Sequence, residues 1–285
     1  MLREWTRADT ETLLRVPGAD DDKYSRGVVG LRTGSLAYPG AAVLGVEAAW
    51  RAGAGYVLYT GDARDAVLAR RPETVARAEP GRTRVGAWVI GSGTDAEHRD
   101  DAERQALEAI LDGDAAAVVD AGALDLAEEG AAPRVLTPHA REFARLRDGL
   151  GLRERDLDDQ KVRADAVLET AQRLRATVLL KGARTLVADP GGDVIHVANA
   201  PTWLSTAGTG DVLAGVVGAL IAADVDRPLA ESAAAAVWLH GHAAARASGA
   251  VGDDGSRTPG HPIVALDVAE ALPGAIGELL SGQRA

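Results

Sequence analysis

Ser205–Thr206–Ala207–Gly208–Thr209–Gly210–Asp211–Val212–Leu213–Ala214–Gly215 is the stretch on which the fold turns. Two glycines flank Thr209, and an apolar, helix-compatible run from Val212 to Ala223 follows. Glycine lacks a Cβ, so successive backbone N–H groups can turn toward one point. A helix start adds partial positive charge at that point. Gly208, Thr209 and Gly210 together make an anion hole for a phosphate. Asp211 sits in the first helical turn, aimed at the same space. A carboxylate repels phosphate, so its natural role is that of a base taking a proton from a hydroxyl that attacks phosphorus. The alternative role is an N-cap after a flexible loop, and this segment alone supports both.

Outward from this segment, strand-like and helix-like stretches alternate. Strands are expected at 28–33, 56–60, 84–90, 116–119, 135–137 and 177–180, and helices at 41–52, 96–111, 158–174, 211–222, 229–247 and 264–280. Residues 186–188 and 194–197 flank Asp189–Pro190–Gly191–Gly192–Asp193, the pattern of a hairpin. Alternation of this kind predicts an α/β fold with a mostly parallel central sheet and helices on both faces. Ligands of such sheets gather at the carboxyl ends of the strands. Gly91–Ser92–Gly93, Asp120, Pro138–His139 and Lys181–Gly182 all fall at such ends. With no internal repeat and no linker, residues 1–285 are expected to form a single domain, with 1–25 a peripheral amino-terminal segment.

Composition narrows the function classes. The net charge is −11, and the arginines are scattered beside acids, as in Arg99–Asp100–Asp101. General binding to nucleic acid or to an anionic membrane needs clustered cations, so neither is expected. The chain has no cysteine, which excludes disulfides, thiolate nucleophiles and cysteine-based zinc sites. Met1 to Asp22 is charged and has no apolar core, so no signal peptide is expected. The longest apolar run, 212–223, is short of the ~20 residues of a membrane helix, which predicts a soluble cytoplasmic protein. No Gly-x-Gly-x-x-Gly opens the first strand–helix unit, which argues against a nicotinamide dehydrogenase.

The segment 205–215 resembles the signature of ribokinase-like enzymes and, more narrowly, of the ADP- or ATP-dependent NAD(P)H-hydrate dehydratases. Gly34–Ser35–Leu36–Ala37–Tyr38–Pro39–Gly40–Ala41 resembles that family's Gly-Ser…Tyr-x-Gly-Ala element. Leu136–Thr137–Pro138–His139–Ala140–Arg141–Glu142 resembles its Thr-Pro-His-x-x-Glu, and Lys181–Gly182–Ala183–Arg184–Thr185 its Lys-Gly-Ala-x-Thr. Leu239–His240–Gly241 and Leu272–Pro273–Gly274–Ala275–Ile276 follow in order. The resemblance implies a repair reaction on the S-epimer of hydrated NADH or NADPH. The ring hydroxyl is phosphorylated from ADP or ATP and phosphate is then eliminated, because phosphate leaves easily where hydroxide does not.

By the same resemblance, Asp211 is the catalytic base and a hydrate contact. Gly208, Thr209 and Gly210 touch the nucleotide, and Lys181, Gly182, Ala183, Arg184 and Thr185 hold its AMP portion. Ala41, Gly93 and His139 bind the hydrate, and Glu142 acts through water on Mg²⁺. Each also has a plainer role: a surface lysine ending a strand, a tight helix entry, a structural histidine, a first-turn acid. ADP is the expected co-substrate and a homotetramer the expected assembly. Where the family has Gly-Pro-Gly-x-Gly, this chain has Gly91–Ser92–Gly93–Thr94–Asp95; where it has Asp-Ala-Asp-Ala-Leu, this chain has Asp120–Ala121–Gly122–Ala123–Leu124. Asp95 adds a negative charge near an anionic substrate, and Gly122 removes a carboxylate. Ala207 replaces a glycine, a mild change wherever residue 207 needs no positive φ. The rivals are a ribokinase-like kinase for a vitamin-precursor hydroxyl and a non-catalytic nucleotide sensor of the same fold.

Overall fold

A computed structural model describes residues 2–251 and 258–282. In chain order its elements are β1 (Leu2–Glu4), α1 (Arg7–Glu11), β2 (Val28–Arg32), α2 (Pro39–Arg51), β3 (Tyr56–Tyr59), α3 (Arg64–Arg70), β4 (Val75–Ala76), β5 (Ala87–Ile90), α4 (Asp101–Leu111), β6 (Ala116–Val119), β7 (Arg134–Leu136), α5 (Ala140–Gly149), α6 (Gln160–Leu174), β8 (Thr177–Leu180), β9 (Thr185–Ala188), β10 (Val194–Val197), α7 (Thr209–Ala223), α8 (Leu229–Ala247) and α9 (Ala265–Gly282). Short 3₁₀ turns at Ala96–His98, Ala121–Leu126 and Thr202–Leu204 complete it.

The described strands form one sheet in the order β1-β10-β9-β8-β7-β6-β5-β2-β3-β4. Every neighbouring pair is parallel except β8–β9 and β9–β10, so β9 alone is reversed among them. The sheet is buried on both faces. In β5, Trp88 and Ile90 join one apolar cluster and Ala87 and Val89 the other. Helices therefore cover both faces of a mostly parallel sheet, as the alternating pattern predicts.

α7 is buried along its whole run from Val212 to Ala222, which is why that stretch lacks a polar face. It packs against α2 at a very close crossing. A Cβ at Gly215 would run into the Gly45 carbonyl oxygen and come within 2.9 Å of the Ala48 Cβ. Small residues at this crossing bring the start of α7 up to the loop that enters α2.

Several elements differ from the sequence expectations, each for a local reason. The helix expected over 96–111 is two pieces, because Asp95 caps a 3₁₀ turn and Asp100 caps α4. α2 begins at Pro39, where a fixed φ and a missing N–H suit a first turn. α7 begins at Thr209, two residues before the expected start. α5 and α3 were not expected; α5 is only ten residues long and carries most of its apolar contact on Phe143.

The amino-terminal segment, expected to be peripheral, is partly integral. Leu2–Glu4 pairs with Val194–His196 to extend the sheet. Trp5 is buried, and its indole N–H donates to Thr10 Oγ1 at 2.9 Å.

Candidate active site

The carboxyl ends of β2, β5, β6, β7 and β8 and the start of α7 meet at one place. Gly208 is the N-cap of α7, with φ +87, a conformation that glycine adopts without strain. The first helical bond runs from Val212 N–H to Gly208 O at 3.2 Å. The N–H groups of Thr209, Gly210 and Asp211 precede it and have no intrahelical acceptor. The Thr209 hydroxyl is turned back onto the loop, donating to Thr206 O at 2.9 Å and to Leu204 O at 3.2 Å. What the loop offers a phosphate is backbone, not the Thr209 side chain. Ala207 is not among the non-glycine residues with positive φ, so its replacement of a glycine brings no strain.

Asp211 is not an N-cap. It lies two residues inside α7, and among the described residues its carboxylate accepts no hydrogen bond. Its Oδ2 lies 3.9 Å from where a Cβ on Gly208 would be, so it faces the anion hole. Burial and the negative charge of Asp120 push its pKa up to about 6, against the pull of Lys181. A carboxylate tuned upward in this way is a better proton acceptor than a free one.

Asp120, at the end of β6, is the hub of the site. Its buried carboxylate accepts from Ser92 Oγ at 2.8 Å, Thr137 Oγ1 at 2.8 Å and Lys181 Nζ at 2.8 Å. These partners come from the ends of β5, β7 and β8. Lys181 Nζ also lies 3.9 Å from Glu142 Oε2. It is 3.5 Å from the position of a Cβ on Gly210, so the ammonium sits over the start of α7. Burial alone would lower the Lys181 pKa; Asp120, Glu142 and Asp211 together hold it above its ordinary value. The lysine is a fixed cation. The roles of Ser92 and Thr137 lie outside the sequence expectations, since a hydroxyl at a strand end gives no sign of which carboxylate it meets.

His139 is the N-cap of α5. Its Nδ1 accepts from Arg141 N–H at 3.1 Å and Glu142 N–H at 3.3 Å, while Glu142 Oε2 accepts from His139 N–H at 2.8 Å. This reciprocal capping box assigns the ring proton to Nε2, which lies 3.5 Å from Glu142 Oε1. The structural roles of both residues are therefore real, and they leave Nε2–H and Glu142 Oε1, near one another, outside the two capping bonds.

Gly93 and Ala41 are brought together: a Cβ on Gly93 would collide with that of Ala41. Gly182 lies against Arg163, whose guanidinium donates to Lys181 O at 3.3 Å. Thr185 begins β9 and donates to Gly182 O at 3.0 Å, closing the turn through Ala183. Arg184 points elsewhere, donating to Gln160 Oε1 on α6 at 2.7 Å. His240, on α8, is buried against the Thr209 backbone; burial lowers its pKa to about 4, so it is neutral.

The two departures at Asp95 and Gly122 are explained by packing. A side chain at Gly122 would strike the Thr94 carbonyl, so no carboxylate fits there. The Gly122 carbonyl accepts from Arg99, which also pairs with Asp125 at 2.8 Å. Asp95 accepts from Glu97 N–H at 3.0 Å and pairs with His98 at 3.0 Å, so its charge serves the 3₁₀ turn.

Among the described residues no group of three or more His, Cys, Asp or Glu side chains is arranged to hold a metal. Glu142, whose Oε1 lies outside its capping bond, is a single carboxylate of the kind that could meet Mg²⁺ through water.

A family model described as NAD(P)H-hydrate dehydratase matches residues 29–256. The chain is 44% identical over 246 residues to the bifunctional NAD(P)H-hydrate repair enzyme Nnr of Mycobacterium leprae, covering 84% of this chain and 49% of that protein. It thus spans about half the length of the bifunctional relative. It is 36% identical over 265 residues to the ADP-dependent (S)-NAD(P)H-hydrate dehydratase of Neisseria meningitidis serogroup B, covering 85% and 86% of the two chains. The crystal structure of the ADP/ATP-dependent NAD(P)H-hydrate dehydratase of Bacillus subtilis, co-crystallised with ATP/Mg²⁺, superposes with a TM-score of 0.81 at 26% identity, over 97% of this chain and 98% of that one. Among the described residues no helix is long and apolar enough to cross a membrane.

Proposed function

The chain belongs to the NAD(P)H-hydrate dehydratase family, and on that premise we propose that it restores the S-epimer of hydrated NADH or NADPH by phosphorylating the ring hydroxyl from ADP or ATP and eliminating phosphate. The observation that carries this reading is the convergence of Asp211, raised to about 6, with the open N–H groups of α7 and the fixed cation Lys181.

Asp211 takes the proton from the hydroxyl as its oxygen bonds to the terminal phosphorus. The bond from that phosphorus to the bridging oxygen breaks, and AMP leaves when ADP is the donor. Backbone N–H groups of Thr209, Gly210 and Asp211, with Lys181, stabilise the charge on the moving phosphoryl group. In the second stage the carbon–oxygen bond breaks and phosphate departs with the electron pair. The neighbouring carbon gives its proton to water, and the bonding pair becomes the restored double bond. Glu142 would hold Mg²⁺ through water, and the ion would supply further charge neutralisation when bound. The turn Lys181–Thr185 holds the AMP portion through its backbone and through Lys181, while Arg184 lies to the side. Ala41 and Gly93 present a close backbone surface to the hydrate, and His139 Nε2–H donates to it. A cytoplasmic homotetramer completes the proposal, and sizing by light scattering tests that assembly.

The deciding assay mixes the pure protein with hydrated NADH, Mg²⁺ and either ADP or ATP, and follows the return of dihydronicotinamide absorbance in the near ultraviolet. Return of absorbance with one nucleotide supports the proposal and identifies the phosphoryl donor. No return with either nucleotide overturns it.

A further inference from the structure

We propose that the cavity between the 3₁₀ turns at 96–98 and 121–126 and α5 receives the adenosine half of the hydrated dinucleotide, and that its acidic rim selects NADH hydrate over NADPH hydrate. This assignment rests on the function proposed above. The cavity holds about 600 Å³, within the ~300–1,000 Å³ usual for small-molecule sites. It adjoins the active site, since Thr94, next to Gly93, and Glu142, on the first turn after His139, both line it. A dinucleotide with its hydrated ring at Asp211 and Ala41 passes Gly93 and His139 and arrives at this opening.

The lining is chemically divided. Leu124, Leu146 and Leu150 supply an apolar surface suited to a purine face. Asp95, Glu97, Asp125 and Glu128 supply carboxylates, and Arg145 is the one cation among the lining residues. Behind the wall, Arg99 pairs with Asp125 at 2.8 Å and Arg173 with Glu128 at 2.8 Å. His98 sits on Asp95 at 3.0 Å. Among the described residues, those partners leave Glu97 as the lining carboxylate with no cation on it; Asp95 is held by His98, Glu142 lies 3.9 Å from Lys181, and the lining as a whole carries five carboxylates to one cation. Arg145 follows Glu142 by three residues on α5 and is the cation in this lining that a pyrophosphate would meet. Ribose hydroxyls donate well to carboxylates, and a carboxylate on the 2′-hydroxyl is the usual way a site takes the unphosphorylated dinucleotide. A 2′-phosphate in the same place would bring two further negative charges against an acidic wall.

The test compares kcat/KM for the hydrates of NADH, NADPH and reduced nicotinamide mononucleotide, which lacks the adenosine half. NADH hydrate should exceed NADPH hydrate by roughly tenfold, the scale of a few partly screened like-charge contacts. The mononucleotide hydrate should show a KM raised about tenfold or more, since it forgoes the contacts of the cavity. The double substitution Asp95→Asn, Glu97→Gln should narrow the NADH-to-NADPH ratio. Leu150→Trp, which fills the cavity, should bring the KM of NADH hydrate toward that of the mononucleotide hydrate. Equal or inverted preference between the two dinucleotide hydrates overturns the proposal, as does a preference that neither variant moves. Should no hydrate turn over, the proposed activity fails, and equilibrium binding of NADH and NADPH, read by nicotinamide fluorescence, still decides the cavity. Tighter NADH that loosens in Leu150→Trp supports it, and equal or tighter NADPH overturns it.

Discussion

Replacing Asp211 by Asn should make the protein more stable and less active. Its carboxyl titrates at about 6, against 3.8 for an unperturbed aspartate, because burial and Asp120 oppose its charge more than Lys181 supports it. At about 1.4 kcal/mol for each tenfold change in proton affinity, that displacement corresponds to about 3 kcal/mol. Partial solvent access to the side chain reduces the expected penalty to about 1–3 kcal/mol. The sign follows from linkage. Below pH 3.8 both folded and unfolded chains hold the proton, and the penalty is absent. Between 3.8 and about 6 only the folded chain holds it, so stability falls as pH rises. Above about 6 both states are ionised and the whole penalty is present. Asparagine is close to isosteric and carries no charge to bury. Urea denaturation should therefore find Asp211→Asn more stable by about 1–3 kcal/mol near about pH 8, with the gain gone near about pH 4. Turnover of the same preparation should fall by about 10²–10⁴-fold, the usual worth of a positioned base. The parent's kcat/KM should fall as pH drops through about 6, as Asp211 takes up its proton. A variant no more stable than its parent at alkaline pH would refute the account of burial and repulsion. Undiminished turnover would remove Asp211 from the role of base.

Lys181→Met should raise the KM for ADP by about 10–100-fold and cost about 3–5 kcal/mol in denaturation, because Asp120 is left buried without its cation. Adding Asp120→Asn should restore much of that stability without restoring nucleotide affinity, measured by titration calorimetry. Glu142→Gln keeps a side chain able to complete the capping box, so thermal unfolding should change little. The half-saturating Mg²⁺ concentration should nonetheless rise about 10–100-fold, as for loss of an outer-sphere partner. Gly208→Ala forces φ +87 on an alanine and brings its Cβ to 2.6 Å from Leu44 Cδ1. It should destabilise the fold by about 1–3 kcal/mol in urea and impair turnover through the displaced N–H groups; parental values for both would show that the loop tolerates a side chain.

Much of this protein was legible in its residues. Apolar strands ending in glycine, aspartate or lysine, most of them followed by a helical pattern, dictate a mostly parallel sheet whose functional groups share one edge. The uninterrupted apolar run after Asp211 dictates a helix buried on every side, and the hairpin at 186–197 follows from its Asp-Pro-Gly-Gly-Asp turn. These are local consequences of periodicity and backbone preference, so neighbours in sequence suffice to specify them.

Tertiary structure alone decided what each polar group meets. Ser92, Thr137 and Lys181 are separated by 17 to 61 residues from Asp120, yet all three bond to it because β5, β6, β7 and β8 lie side by side. Whether Asp211 caps α7 depended on where the helix begins; Gly208, with φ +87, takes the cap and leaves Asp211 in the first turn. Gly122 reads in sequence as a lost carboxylate; in the fold it is the one residue that fits beneath the Thr94 carbonyl. Leu2–Glu4 becomes a strand only because β10 presents an open edge. Burial, charge proximity and steric room are properties of segments distant in sequence, and they come into existence only when the sheet assembles.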